Sequence, residues 1–262
     1  MPVCAPRPLM ISPTDTLSPA AGQQLLSAWQ IPAGRPLIVL NGSTSAKLGP
    51  LYAQLRPLIQ EGLAAWLVRN AAVAITGGTD AGIFALLGRG FAHYGQPAAC
   101  IGVTVAACLR NATHPHGVAL EPHHSHLLLT PGQYWGDETA AMYTLAAAYA
   151  PVAASLTVVI GGGPLTLNEV EYSVAQGRRV LAVTGSGGVA DALVATVADP
   201  DSAEPRLRHL AKQVELYYIA ANASPTSFSR LLDQLVSMPS SSSHNGSSER
   251  CAPSIHAAAV SA

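Results

Sequence analysis

The sequence predicts an α/β protein: a doubly wound, mostly parallel, Rossmann-like sheet of about six to seven strands with helices on both faces. Three observations carry that expectation. Short β-rich apolar runs alternate with helical segments along the chain. Each run is continuously apolar, as strands covered on both faces are, and does not alternate with polar residues. Several runs open directly into glycine-rich loops followed by helical sequence. The core has ample material, since 49 % of the 262 residues are hydrophobic.

Residues 1–35 hold six prolines and a short amphipathic stretch from Gln23 to Trp29, and read as an N-terminal arm packing onto the domain. The domain proper spans residues 36–237. Its first strand is Pro36 to Leu40, followed by a helical stretch from about Leu48 to Arg69, with leucines at helical spacing and Pro57 as a kink or break. Ala72 to Ile75 is a second strand, with a helix from Ile83 to Tyr94 behind it. Ala98 to Thr104, Ser125 to Thr130, Leu156 to Ile160, Arg179 to Thr184 and Val214 to Ala220 complete the set. Residues 238–262 are Ser-rich and cannot bury a core, so a disordered tail is expected.

Only 11 % of the residues are charged, against about 25 % in a typical soluble domain. A membrane span is nevertheless disfavoured. The longest uncharged run, Thr139 to Asn168, is broken by Pro151 and ends near Gly161-Gly162-Gly163-Pro164, so it reads as a helix, a turn and a strand. The chain does not open on a basic and apolar leader, and its four cysteines form no C-x-x-C pair. A soluble, cytoplasmic protein is expected. A net charge of −1 with only two lysines argues against nucleic acid as a partner.

Four glycine-rich loops follow strands, and parallel strands would bring them to one edge of the sheet. The candidate ligand-binding residues in them are Gly42, Ser43 and Thr44; Gly77, Gly78, Thr79, Asp80 and Gly82; Gly161, Gly162, Gly163 and Thr166; and Gly185, Ser186 and Gly187. Such loops, with the helix N-termini behind them, hold phosphate through backbone N–H groups. No Lys or Arg occurs between Arg110 and Arg178, so backbone donors would carry most of that binding. Gly185-Ser-Gly187-Gly-Val-Ala190 formally matches a dinucleotide fingerprint. It follows the sixth strand, however, and no acidic residue stands where a ribose would need one. No nicotinamide cofactor is expected.

Thr76-Gly-Gly-Thr-Asp-Ala-Gly82 resembles the G-G-T-[DN]-x-G signature of the SLOG superfamily, which unites the Lonely Guy and DprA families. Leu120-Glu-Pro-His-His-Ser-His126, Val158-Val-Ile-Gly-Gly-Gly-Pro164 and Val183-Thr-Gly-Ser-Gly-Gly-Val-Ala-Asp191 follow in order. Together they resemble the branch found in the N-terminal region of TRPM channels and in stand-alone prokaryotic relatives, over about residues 36–220. The resemblance implies a Rossmann-like domain that senses a nucleotide or nucleotide-derived ligand of the ADP-ribose type.

The Lonely Guy branch instead hydrolyses nucleoside monophosphates, with a P-G-G-x-G-T-x-x-E motif. Gly161-Gly-Gly-Pro-Leu-Thr166-Leu-Asn-Glu169 keeps two glycines, the threonine and the glutamate. Glu169 is therefore the catalytic candidate if the chain is a phosphoribohydrolase, and a ribose contact if it is not. The catalytic arginine of that branch has no counterpart in Trp135 to Ala150, which offers only Asp137 and Glu138; Lys47 and Arg110 are the substitutes the sequence offers. Binding without efficient hydrolysis is the expectation. A structural or oligomerising module without ligand is the third reading, and the sparse charge is compatible with a homo-oligomer.

Glu169 and Asp80 also have purely structural readings, as a helix-dipole partner and a helix cap. Asp191 reads as a surface helix residue. Five of nine histidines lie between His114 and His126, and His124 and His126 share a face if Ser125 to Thr130 is a strand. No cysteine joins them, so ligand contact or loop packing is expected and no metal.

Overall fold

Residues 7–10, 17–44, 49–112, 114–150, 154–237 and 255–257 are described by a computed structural model. Nine strands form one sheet: β1 (Arg7–Met10), β2 (Leu37–Gly42), β3 (Val73–Thr76), β4 (Ala99–Val105), β5 (His126–Thr130), β6 (Ser155–Ile160), β7 (Arg179–Thr184), β8 (Leu216–Ala220) and β9 (Ile255–Ala257). Their order is β1-β5-β4-β3-β2-β6-β7-β8-β9, and every neighbouring pair is parallel. The seven central strands are the seven apolar runs of the sequence. Two short edge strands extend them: β1 comes from the N-terminal arm, and β9 lies in the segment expected to be disordered. The rest of residues 238–262 lies outside the described residues.

Helices cover both faces because successive strand residues point to opposite sides. Ile38 and Leu40 of β2 face one layer, Leu37 and Val39 the other, and all four are fully buried. The first layer holds α2 (Gly49–Arg56), a π-wound segment (Pro57–Ala64), α3 (Ala65–Arg69), α4 (Gly82–Tyr94) and α9 (Pro225–Ser237). Pro57 thus changes the winding of the helical run without ending it, since a missing N–H is tolerated at the start of a segment.

On the opposite face α1 (Pro19–Ala28) packs against α5 (Thr139–Tyr149). Beside them α6 (Pro164–Ala175), α7 (Gly188–Ala198) and α8 (Pro205–Ala211) cover β6 to β8. Ser18 caps α1 by accepting a hydrogen bond from the Ala21 N–H at 3.2 Å, and Pro19 fits the first turn.

The chain builds outward from β2 to β5 on one side, then returns through α5 to place β6 on the other side of β2. The order reverses between β2 and β6, where the loops leaving the two strands diverge and open a crevice at the carboxyl edge.

The α9 helix locks the first layer. Phe228 is fully buried against the π-wound segment, its ring so close over Gly62 that a Cβ there would lie 2.9 Å from Cδ1. Trp66 Nε1 donates to Asp233 Oδ1 at 2.6 Å across the same contact. Phe228→Ala should cost about 3–5 kcal/mol through the cavity it leaves, read as a lowered urea midpoint at unchanged slope.

Candidate functional site

The carboxyl edge between β2 and β6 holds a cavity of about 360 Å³. Gly42, Ser43 and Thr44 line it from the β2 loop, Gly77, Thr79, Ala81 and Phe84 from the β3 loop and α4. Gly163, Pro164, Leu165, Thr166 and Glu169 reach it from α6, Val118 from the β4–β5 connection, and Trp135, Gly136 and Glu138 from the β5–α5 loop. Two long helices, α4 and α6, start at its wall with no side chain capping them. The first donors of α4 are already taken, Ile83 N–H by the Ser43 carbonyl and Phe84 and Ala85 N–H by that of Ala81. Pro164 opens α6 without one, so the partial positive charge of helix-start backbone comes to the cavity from Leu165 and Thr166 N–H of α6.

The four glycine loops are bonded into a single strip. Ile83 N–H donates to the Ser43 carbonyl (3.1 Å), Ser43 N–H to Ile160 (3.0 Å), and Val189 and Ala190 N–H to Gly162 and Gly161 (3.1 Å each). Gly161 N–H donates to Ser186 Oγ at 2.7 Å. Two glycines permit these approaches. Gly82 (φ +50°) lies where a side chain would strike the Ser43 carbonyl, and Gly188 (φ +57°) where one would strike Gly162.

Eight of the sequence candidates line the cavity: Gly42, Ser43, Thr44, Gly77, Thr79, Gly163, Thr166 and Glu169. The others stand behind it. The Gly185–Gly187 loop spends its donors internally, with Gly185 and Gly187 N–H bonded to the Asp191 carboxylate at 2.7 and 2.8 Å. Asp191 is thus the clasp of that loop. Gly161 and Gly162 accept from α7, and Gly78 packs on Gly102.

Asp80 is exposed and does not cap α4; its N–H donates to Ala119, and Ala81 occupies the cap position. Arg110 is exposed and bonds the Gly117 carbonyl, and Lys47 lies outside the described residues.

The histidines also serve from a distance. β5 begins at His126, so His124 precedes the strand and the two do not share a strand face. His126 is half-buried, 5.0 Å from the Trp29 ring. His124 is buried in a relay that reaches the β3 loop. Glu121 Oε2 pairs with His124 Nδ1 at 2.8 Å, His124 Nε2 meets Thr76 Oγ1 at 2.7 Å, and that oxygen accepts from Gly78 N–H at 2.9 Å. The carboxylate requires the proton on Nδ1, which leaves Nε2 to accept from the Thr76 hydroxyl. Among the described residues no His, Cys, Asp and Glu cluster suits a metal ion.

The cavity's titratable side chains are both acidic. Burial, then the Glu138 charge, pushes the Glu169 carboxyl up to about 8, against a smaller opposing hydrogen bond from Thr166. Burial also raises Glu138, although the Gly136 N–H donates to its Oε2 at 2.7 Å. Glu169 lies in the second turn of α6, beyond the first turn where the dipole acts, so a dipole role does not account for it.

Glu138, Trp135 and Val118 were absent from the sequence candidates. The available signal was the pair Gly132 and Gly136 after the fourth apolar run, a glycine loop without a G-G motif.

These features define a class: a doubly wound α/β protein with a ligand-sized cavity at its topological switch point. The family model described as SLOG in TRPM, prokaryote, matches residues 35–229, and the chain belongs to that family. The X-ray structure of TM1055, a structural-genomics target, is similar in fold. It aligns over 76 % of this chain and 99 % of its own, with a TM-score of 0.53 and 18 % identity. No curated protein matches the chain. Among the described residues no helix is long and apolar enough to cross a membrane.

The Glu121 relay gives a pH-dependent prediction. Burial alone would raise this carboxyl, but the hydrogen bonds from His124 and His123 outweigh it and hold it below its ordinary value. A depressed carboxylate stabilises the fold above the unfolded pKa of about 4.3 and loses that contribution as pH falls through its folded value. Glu121→Gln should therefore cost about 1.5–3 kcal/mol at neutral pH, with the gap to the parent narrowing below about pH 4 in denaturant titrations.

Proposed function

We propose that this protein binds a nucleotide or nucleotide-derived ligand of the ADP-ribose type in the β2/β6 cavity and acts as a ligand sensor. The observation that carries this reading is the mixed lining of one cavity, backbone donors together with apolar and aromatic side chains. The uncapped start of α6, with the Gly42–Thr44 loop, suits a phosphate; Trp135 and Leu165, both exposed, with Leu165 packed beside Gly136, offer apolar surface suited to a base. Glu138 and Glu169, also in the lining, offer oxygens to sugar hydroxyls. A cavity of about 360 Å³ suits one nucleoside phosphate unit, so a larger dinucleotide-like ligand would extend past Trp135 and Leu165, both partly exposed at its rim.

Hydrolysis of an N-glycosidic bond is the second reading, favoured by Glu169 in the cavity with its carboxyl pushed up to about 8. A group poised near neutrality can act as a general acid or base. No Lys or Arg among the described lining residues would help hold a phosphate through the reaction, which is why sensing comes first.

Thermal-shift titrations with ADP-ribose and AMP, with products followed by mass spectrometry, test both. Stabilisation without release of ribose 5-phosphate is expected. Turnover abolished by Glu169→Gln would establish the hydrolase, and no shift with any nucleotide would sink both readings. Trp135→Ala should weaken ligand binding by about 5- to 100-fold, the worth of one stacked base, measured by calorimetry.

A further inference from the structure

The cavity reads as a phosphate site, yet the charged side chains that line it are carboxylates. Glu138 enters from the turn ahead of α5 and Glu169 from α6, and the described lining includes no Lys, Arg or His. Among the described residues, the titratable groups that act on the pair bring no positive charge. The Tyr143 phenol of α5 stands against Glu169, and burial holds its proton firmly. Asp137 and the Cys108 thiol stand near Glu138, and burial with these acidic neighbours raises the thiol as well. Two carboxylates lining one cavity, with no cationic side chain in its described lining, cannot both ionise cheaply. Glu138, which the Gly136 N–H supports at 2.7 Å, is the better placed to keep its charge.

We propose that Glu138 and Glu169 carry a single proton between them at neutral pH, and that the cavity admits a phosphate-bearing ligand only in this singly protonated state. The proposal rests on the nucleotide reading of the cavity and adds its regulation by pH. Burial and the neighbouring Glu138 place the Glu169 carboxyl at about 8, so the proton resides on Glu169. Protonated, that side chain offers an O–H donor to a ligand oxygen; ionised, it sets a second negative charge against the phosphate. The ligand selects the protonated form, so binding takes up a proton wherever Glu169 is ionised in the free protein. Between about pH 7 and pH 8 affinity is therefore level, and above about pH 8 it falls about tenfold per pH unit. A cationic ligand would reverse the slope.

The test is calorimetry with AMP on the full chain between about pH 7 and pH 9.5. The parent protein should show the tenfold-per-unit decline above about pH 8. Glu169→Gln, which mimics the protonated side chain, should hold the same affinity throughout. Glu138→Gln, which removes the repelling charge, should move the onset of the decline to lower pH. A level or rising affinity in the parent protein overturns the proposal. If AMP fails to bind at any pH, the nucleotide reading fails by itself, and carboxyl NMR of the ligand-free protein decides the proton. A resonance titrating near pH 8 and lost in Glu169→Gln upholds it; carboxyls titrating only in the ordinary acidic range overturn it.

Discussion

The pairing of β2 with β6 is the constraint on which the rest depends. Six residues of each strand run in register, from Leu37 beside Ser155 to Gly42 beside Ile160, across more than a hundred residues of chain. Between them the chain has built β3, β4 and β5 on one side and crossed a face through α5. Closing this pair reverses the direction of sheet growth. The β2 loop then turns toward α4 and the β6 loop toward α6, and the space between them is the cavity. Without the pair there would be two half-sheets and no shared edge for their loops.

The edge is held by backbone more than by side chains. The β3, β2, β6 and β7 loops are linked by N–H to carbonyl bonds and by Ser186, and no basic side chain takes part in these links. A hydrogen-bonded strip of this kind costs little to pre-form, because each donor satisfied within it would otherwise need water or a ligand. It also divides the glycines by task. Donors of the β7 loop are bound by Asp191, whereas Gly163 opens α6 at the cavity wall with no side-chain cap. The loops alike in composition are therefore unlike in availability.

A second polar layer lies beneath. Glu121, His124 and Thr76 run from the β4–β5 connection to the Gly77–Gly78 turn, with the Glu121 carboxylate seated where Gly88 of α4 leaves room. Here His124, expected from the sequence to contact a ligand or pack a loop, acts on the β3 loop, whereas His126 lies against Trp29. Buried polar networks earn their place only when every member is satisfied. This one is, through one tautomer of His124 and one ionised carboxylate.

The sequence by itself determined the fold class, the seven central strands and three of the glycine loops that line the cavity. A strand buried on both faces must be apolar at every position, and a parallel sheet puts every strand exit on one edge, so these facts are written locally. The edge strands Arg7–Met10 and Ile255–Ala257 were not legible, because such short pieces become strands only by finding the open edges of β5 and β8. Only the tertiary structure decided which glycines face the cavity and which buttress it, and that Trp135 and Glu138 close its far side. Both depend on where segments a hundred residues apart come to rest. A donor's freedom and a carboxylate's charge are properties of neighbours in space, and the order of residues along the chain does not record them.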